Sequence, residues 1–307
     1  MERLTERIRT TALDAGADLV GVAPISRFEN APPEFHPRAV FPPTRTVVAI
    51  ALRMARGTLK AVEEGTYWQA YNCDSYWHMN EVEAPQILRR ICVALEQDGY
   101  TGLPVHNPFQ PHLGRRIRED NPLGPDGICS LRVIGVAAGL GEFGMSRFLL
   151  TPEYGPRQRI FAVFTDAELV PSPLFKGSVC DECLACAREC QAGAIGDERT
   201  EVVTIDGRDY RHAPLDTTAC ARIQTGHDPR FSPFRTGEEE EGRQPAYNRF
   251  IQEKFHHSGI ICAGRGCIRA CMDHLEKTGR IAGRFHTPLI EGERWKLDQP
   301  PGSGEDR

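Results

Sequence analysis

No run of eighteen apolar residues occurs in the sequence, so no membrane-spanning helix is expected. The opening residues, Met1 to Glu6, form no apolar leader core, so export is not expected either. Positive charge is not in surplus: 37 Lys and Arg stand against 42 Asp and Glu, a net −5 at pH 7. That balance argues against a nucleic-acid partner, because phosphate binding calls for a basic face. No segment repeats along the chain. What the chain does have is length, apolar content and cysteine. Its 307 residues, 40% of them hydrophobic, suffice for one large domain or two with real cores. Eleven cysteines would imply disulfides in an exported protein.

Their spacing implies something else. Cys180, Cys183, Cys186 and Cys190 stand as C-x2-C-x2-C-x3-C. Two-residue gaps fold a short loop that brings three sulfurs together on one cubane. The longer step starts a helix and turns the fourth sulfur away. This is the bacterial-ferredoxin spacing, in which three thiolates hold one [4Fe–4S] cluster and the fourth holds another. A second cluster needs thiols from elsewhere, and Cys220, Cys262, Cys267 and Cys271 are there to supply them. Paired C-x2-C also serves zinc ribbons, but four cysteines in so short a run fit a cubane better. Gln191 stands where the ferredoxin run has Pro, which helps the turn and ligates nothing. Cys73, Cys92 and Cys129 are left over and are expected as buried free thiols. Thiols kept for iron imply a reducing, cytoplasmic compartment.

The rest of the chain reads as α/β (α+β). Leu4, Ile8, Ala12 and Ala15 fall at helical spacing, with Gly16 as the stop. Residues 19–23 read as a buried strand. The apolar run 46–52 reads as a strand buried on both faces. Residues 24–44 and 101–128 are rich in Pro or Gly and are expected to be irregular. Ile87, Leu88, Ile91 and Leu95 mark a helix over 80–98 that Gly99 ends. Residues 159–165 read as another strand. Residues 202–210, with Asp206 and Gly207 at the turn, read as a hairpin. The polar stretch 226–246 is expected as an exposed loop, and 247–258 as a short helix.

Two stretches stand out. Residues 66–78 hold Tyr67, Trp68, Tyr71, Tyr76 and Trp77, which either wall a flat cofactor or substrate, or form a helix covering the core. Residues 139–144 match G-x-G-x-x-G, the dinucleotide fingerprint. The dinucleotide reading fails, because only 145–151 separate the match from Pro152, too little for a crossover helix. The preceding segment, 129–138, also looks helical rather than extended. These glycines instead let the backbone run close to a large ligand or a neighbouring strand.

Residues 138–144 (AGLGEFG), 149–157 (LLTPEYGPR) and 163–166 (VFTD), followed by the cysteine run, resemble the cobalamin-dependent reductases. That superfamily contains the reductive dehalogenases and the epoxyqueuosine reductases. The likeness covers roughly residues 1–275 and is most specific from 138 to 190. It implies a nitroreductase-like domain that binds base-off cobalamin, followed by a bacterial-ferredoxin-like domain with two [4Fe–4S] clusters. With Pro171 to Pro173 as linker, the expected division is 1–172, 173–297 and a disordered tail 298–307. The resemblance also implies how the thiols divide. Cys180, Cys183, Cys186 and Cys271 would hold the cluster nearer the corrinoid, and Cys190, Cys220, Cys262 and Cys267 the outer one. The gap of four residues between Cys262 and Cys267 departs from the two expected of the family.

For the corrinoid, the likeness points to Gly139, Leu140, Gly141, Glu142, Phe143, Gly144, Met145 and Ser146, with Thr151, Glu153 and Thr165 as further candidates. The family often carries Lys or Arg where Met145 stands, and all of these residues have the alternative of merely shaping the fold. Candidate proton donors are Asp126, Tyr67 and Tyr76, beside Tyr71, His78 and His106. Epoxyqueuosine reductases use an Asp about a dozen residues before the A-G-L-G stretch, close to Asp126, which is otherwise read as a helix N-cap. Dehalogenases use a Tyr with a basic residue nearby. The implied activity is reduction of a small organic substrate. Electrons would come from an external donor, a ferredoxin, flavodoxin or reductase. The alternatives are an epoxyqueuosine reductase acting on tRNA, with Arg115 and Arg116 as a local basic patch, and an iron–sulfur electron carrier or corrinoid reductase without substrate chemistry of its own.

Overall fold

A computed structural model describes residues 1–31, 36–67, 70–106, 129–224 and 266–292. Its centre is a four-stranded antiparallel sheet in the order β1-β2-β6-β3. The strands are β1 (Leu19–Pro24), β2 (Thr46–Arg53), β3 (Gly102–Val105) and β6 (Gln158–Thr165). β2 explains the three-layer arrangement. Its Val48, Ile50 and Leu52 enter one core with α1 (Glu2–Asp14) and α4 (Ala84–Glu96). Its Val47, Ala49 and Ala51 enter a second core with α5 (Leu131–Ala137) on the other side. An apolar residue at every position from Val47 to Leu52 is therefore what two covered faces require. On α4, Ile87, Leu88, Ile91 and Leu95 are each no more than 2% exposed. Each such side chain contributes about 1.5–3 kcal/mol by burial.

Three segments differ from the sequence expectation. Residues 102–105 are not irregular but form the edge strand β3 on β6. At an edge the missing N–H of Pro104 leaves no ladder bond unmade. A side chain on Gly102 would meet Cys92 and Leu95 at 3.0–3.1 Å, so its glycine serves close packing. Residues 24–44 are not wholly loop: they hold a 3₁₀ turn, Ile25–Phe28, and a one-turn helix, α2 (Pro37–Val40). Pro37 opens α2, where its lost N–H is harmless, and His36 Nδ1 accepts from the Arg38 N–H. Before α4, and continuous with it, residues Tyr71–Glu83 form a π-helix. Its wider pitch is why the aromatic stretch shows no clean 3.6-residue period.

The other elements are α3 (Arg56–Glu63), the small hairpin β4 (Glu142–Phe143) and β5 (Leu149–Leu150), α6 (Ala185–Arg188), the hairpin β7 (Glu201–Ile205) and β8 (Arg208–His212), α7 (Thr217–Gln224) and α8 (Cys267–Thr278). Asp206 and Gly207 both take positive φ, 52° and 70°, as the predicted primed turn demands. Met272 and Leu275 of α8, with Ile281 and Leu289, join the same core as α1 and α4. Two ion pairs hold α8 against α3. Arg56 donates to both carboxylate oxygens of Glu276 at 2.8–2.9 Å, and buried Glu63 pairs with buried Arg269. The readings for Arg115, Arg116, Asp126, Cys262, 226–258 and the tail lie outside the described residues. Among the described residues, no helix is long and apolar enough to cross a membrane.

Candidate cysteine site

Between the cysteines of the first run the backbone turns sharply. Glu182 and Leu184 both sit at φ 57°, a left-handed conformation that costs a non-glycine residue about 1 kcal/mol or more. That fold brings Cys180, Cys183 and Cys186 to one pocket, which Cys271 enters from α8 and Met145 walls from the β4–β5 turn. Three of these thiols, Cys180, Cys186 and Cys271, are held above the usual thiol value. Burial pushes Cys186 up to about 11, with Cys180 and Cys183 adding to it. Cys271 goes well above the usual thiol value, by burial first and then by Cys186, Cys180 and Cys183. Burial also raises Cys180, against backbone hydrogen bonds from Met145 and Glu182. Four thiols facing one space, Cys186 buried and the other three half-buried, with none of the described cysteines in a disulfide, is a donor set that fits an iron–sulfur cluster.

A second group lies beside it. Cys190 and Cys267 pack in a small apolar cluster with Ile195, Ala213 and Leu215. Cys220 is raised by burial first and by Cys190 next. Cys267 and Cys271 are one helical turn apart on α8, so a single helix serves both groups. Arg132, stacked 4.7 Å from the Phe148 ring, is also near this group: burial lowers its pKa, while the Cys267 thiol raises it.

The residues named for corrinoid contact are engaged with the protein itself. A side chain on Gly139 would lie 2.1 Å from the Pro173 carbonyl oxygen, and one on Gly141 2.0 Å from that of Leu150. One on Gly144 would meet the Leu150 side chain at 2.7 Å. Leu140 and Phe143 lie in the core behind α5. Thr151 donates to Gln158 and accepts from the Tyr154 N–H, and Thr165 accepts from the Ala167 N–H. Ser146 is buried, and the Met145 carbonyl accepts from the Ala213 N–H. Glu142 accepts at one oxygen from the N–H groups of Val179 and Cys180, at 2.5 and 2.9 Å. The close approach at Gly139 and Gly141 is thus to neighbouring backbone, and at Gly144 to the Leu150 side chain.

Of the proton-donor candidates, Tyr67 is 60% exposed, whereas Tyr71 and Tyr76 are buried with ring centres 5.9 Å apart. Against both packs Arg159 of β6, which sequence reading missed. Its guanidinium carbon lies 3.7 Å from the Tyr76 ring centre, and it donates to the Tyr71 hydroxyl and the Ser75 carbonyl. Burial works to lower its pKa, but the two tyrosines override that and hold it charged. His78 is half-buried near Glu83, and burial lowers the pKa of His106. Beside the cysteine pocket, His274 Nε2 and Asp181 are 2.8 Å apart, close to Cys183. Burial acts to raise the Asp181 carboxyl, and His274 and Arg280 together bring it below the usual value.

The sequence matches no family model. It is 43% identical over 172 residues to a tetrachloroethene reductive dehalogenase of Desulfitobacterium hafniense, 54% of this chain and 26% of that protein. It is 40% identical over 73 residues to a tetrachloroethene reductive dehalogenase of Sulfurospirillum multivorans, 23% of this chain and 15% of that protein. The match thus spans about a quarter or less of these relatives' length. Among solved structures, a catabolic reductive dehalogenase superposes with a TM-score of 0.56 at 18% identity, over 99% of this chain and 42% of the other. Another reductive dehalogenase, described for B12-dependent dehalogenation, gives 0.55 at 17% identity over 98% of this chain and 42% of that one. An epoxyqueuosine reductase gives 0.51 at 16% identity over 92% of this chain and 67% of that one. At such identities the superpositions speak for the fold alone. The chain is thus similar in sequence to reductive dehalogenases, and in fold to reductive dehalogenases and epoxyqueuosine reductases.

Proposed function

We propose that the chain is an oxidoreductase of the reductive dehalogenase type, passing single electrons through two [4Fe–4S] clusters to a corrinoid that reduces a small organic substrate. The observation that carries this reading is the convergence of Cys180, Cys183, Cys186 and Cys271 on one pocket. These four would hold one cluster, and Cys190, Cys220, Cys262 and Cys267 the other. When bound, such clusters supply one-electron transfer at low potential. The chain's own part is to hold and insulate them. Ile195, Ala213 and Leu215 exclude water between the two groups, and the Met145 and Glu182 N–H groups donate to the Cys180 sulfur. In this reading residues 173–297 carry electrons, fed by an external donor, and residues 1–172 hold the site of reduction. Tyr76 is the proton donor, and Arg159 stands where it stabilises the charge left on the phenol oxygen.

The packing of Gly139 and Gly141 against protein backbone favours a second reading: an electron carrier that serves a corrinoid protein and has no substrate chemistry of its own. The net charge of −5 leaves the tRNA-directed reading with less support. One anaerobic experiment separates the first two. Iron and sulfide are counted, hydroxocobalamin is added, and visible spectra are taken before and after reduction. About eight irons per chain with a bound, base-off corrinoid supports the reductase. Eight irons without corrinoid supports the carrier. Four or fewer after reconstitution overturns the second cluster.

A further inference from the structure

Glu142 does not point where a cofactor-binding residue of the glycine segment was expected to point. It sits on the two-residue strand β4, opposite Leu150, between Gly141 against the Leu150 carbonyl and Phe143 in the core. Both neighbours are locked, so the Glu142 side chain has one direction left. It reaches the start of the cysteine loop, where one carboxylate oxygen takes two successive N–H groups, those of Val179 and Cys180. Among the described residues no Lys or Arg forms an ion pair with it, and two peptide N–H groups face its negative charge. The chain leading up to it, residues 166–179, is without regular structure, and Cys180 is the first wall of the pocket that Cys183, Cys186 and Cys271 complete.

We propose that Glu142 is a positioning residue for the cluster held by Cys180, Cys183, Cys186 and Cys271. Its carboxylate tethers the Cys180 peptide to the sheet and places a fixed negative charge beside the cluster, lowering the potential at which that cluster takes up an electron. The proposal rests on the two-cluster reading above. Hydrogen bonds and net charge around the sulfurs are among the determinants of such potentials, and outer partners of ligands orient them. Glu142 supplies both through one group. It also diverts two N–H donors that would otherwise stabilise added negative charge on the cluster.

The test uses the full chain, purified anaerobically, as wild type, Glu142→Gln and Glu142→Asp. Iron is counted, each reduction step is followed by EPR-monitored titration, and deuterium exchange is read at residues 179–180. Glu142→Gln keeps an oxygen acceptor and loses the charge. It is expected to retain its iron and to show one of the two steps moved to higher potential, the other unmoved. Glu142→Asp keeps the charge on a shorter arm. It is expected to hold the wild-type potential while exchange at 179–180 quickens. Full iron in Glu142→Gln with both steps unmoved, or both moved alike, overturns the proposal. If Glu142→Gln loses iron, Glu142→Asp decides: iron and potential kept support the proposal, and loss of iron there too overturns it. A wild-type chain that binds no iron overturns the two-cluster reading itself, and this proposal with it. The iron count tells the two failures apart.

Discussion

The guanidinium carbon of Arg159 lies 3.7 Å from the centre of the Tyr76 ring and holds the phenol from the sheet side. Tyr76 comes from the π-helix and Arg159 from the middle strands, so the pair joins two elements across the core. If Tyr76 delivers the proton, Tyr76→Phe keeps the packing of the ring and removes only the donor. Turnover of a reducible substrate with an artificial electron donor is expected to fall about 10²–10⁴-fold, with iron content unchanged. Undiminished turnover removes Tyr76 from that role.

Cys271→Ser and Cys190→Ser separate the two groups of thiols. Cys271 faces Cys180, Cys183 and Cys186, so its loss is expected to affect one cluster. Cys190 lies with Cys267 and Cys220, so its loss is expected to affect the other. Each variant should lose the EPR signal of one reduced cluster and about half the iron, given two four-iron clusters. Identical spectra from both variants contradict the division.

Glu63 and Arg269 form a buried ion pair between α3 and α8. Glu63→Leu leaves the Arg269 charge in the core without its carboxylate. A loss of about 3–5 kcal/mol is expected, read as a drop in thermal midpoint. Glu63→Leu with Arg269→Met removes both charges and is expected to recover most of that loss. A double variant as unstable as the single one shows that the pair is not what the first substitution disturbs.

Gly139→Ala and Gly193→Ala test the reading of the glycine segment. Both residues have positive φ, 79° and 57°, so both substitutions carry backbone strain of about 1 kcal/mol. Only at Gly139 does the new methyl meet the Pro173 carbonyl, at 2.1 Å, while nothing lies within 4 Å at Gly193. Gly139→Ala is expected to unfold at clearly lower denaturant concentration than Gly193→Ala. Equal midpoints exclude the close approach at Pro173.

Cys129 offers a pH test away from the cluster ligands. Burial pushes its thiol from the usual 9.0 up to about 12. Above pH 9 the unfolded chain loses that proton while the folded chain keeps it, so stability falls as pH rises from about 9 to about 12. Below pH 9 the contribution is complete. Cys129→Ala lacks this group, so its denaturation midpoint should decline less steeply over that window. Parallel declines in both proteins contradict the buried neutral thiol.

What was legible in the sequence was local. The run 46–52 announces a strand with two covered faces, and the stripe Ile87, Leu88, Ile91, Leu95 announces α4, because each pattern repeats within one element. The turn at Asp206 and Gly207 is equally local, since only a few residue types accept both positive φ values. Edge strand β3 was missed because Pro and Gly signal irregular chain unless one knows that the strand lies at an edge. The wide turn of the π-helix breaks the ordinary period, which left residues 66–78 readable either as a helix over the core or as the wall of a cofactor or substrate.

By itself the sequence determined the spacing of its thiols, four in a ferredoxin-like run with further thiols in reserve, and a glycine segment that demands close approach. Only the tertiary structure decided what approaches and who helps. It put Pro173 and Leu150, not a dinucleotide, against Gly139 and Gly141. It brought Cys271 to the pocket of Cys180, turned Glu142 onto the Cys180 peptide and set Arg159 against Tyr76. These partners lie far apart along the chain. Their meeting depends on how helices and strands stack, and stacking leaves no periodic mark on any single stretch of sequence.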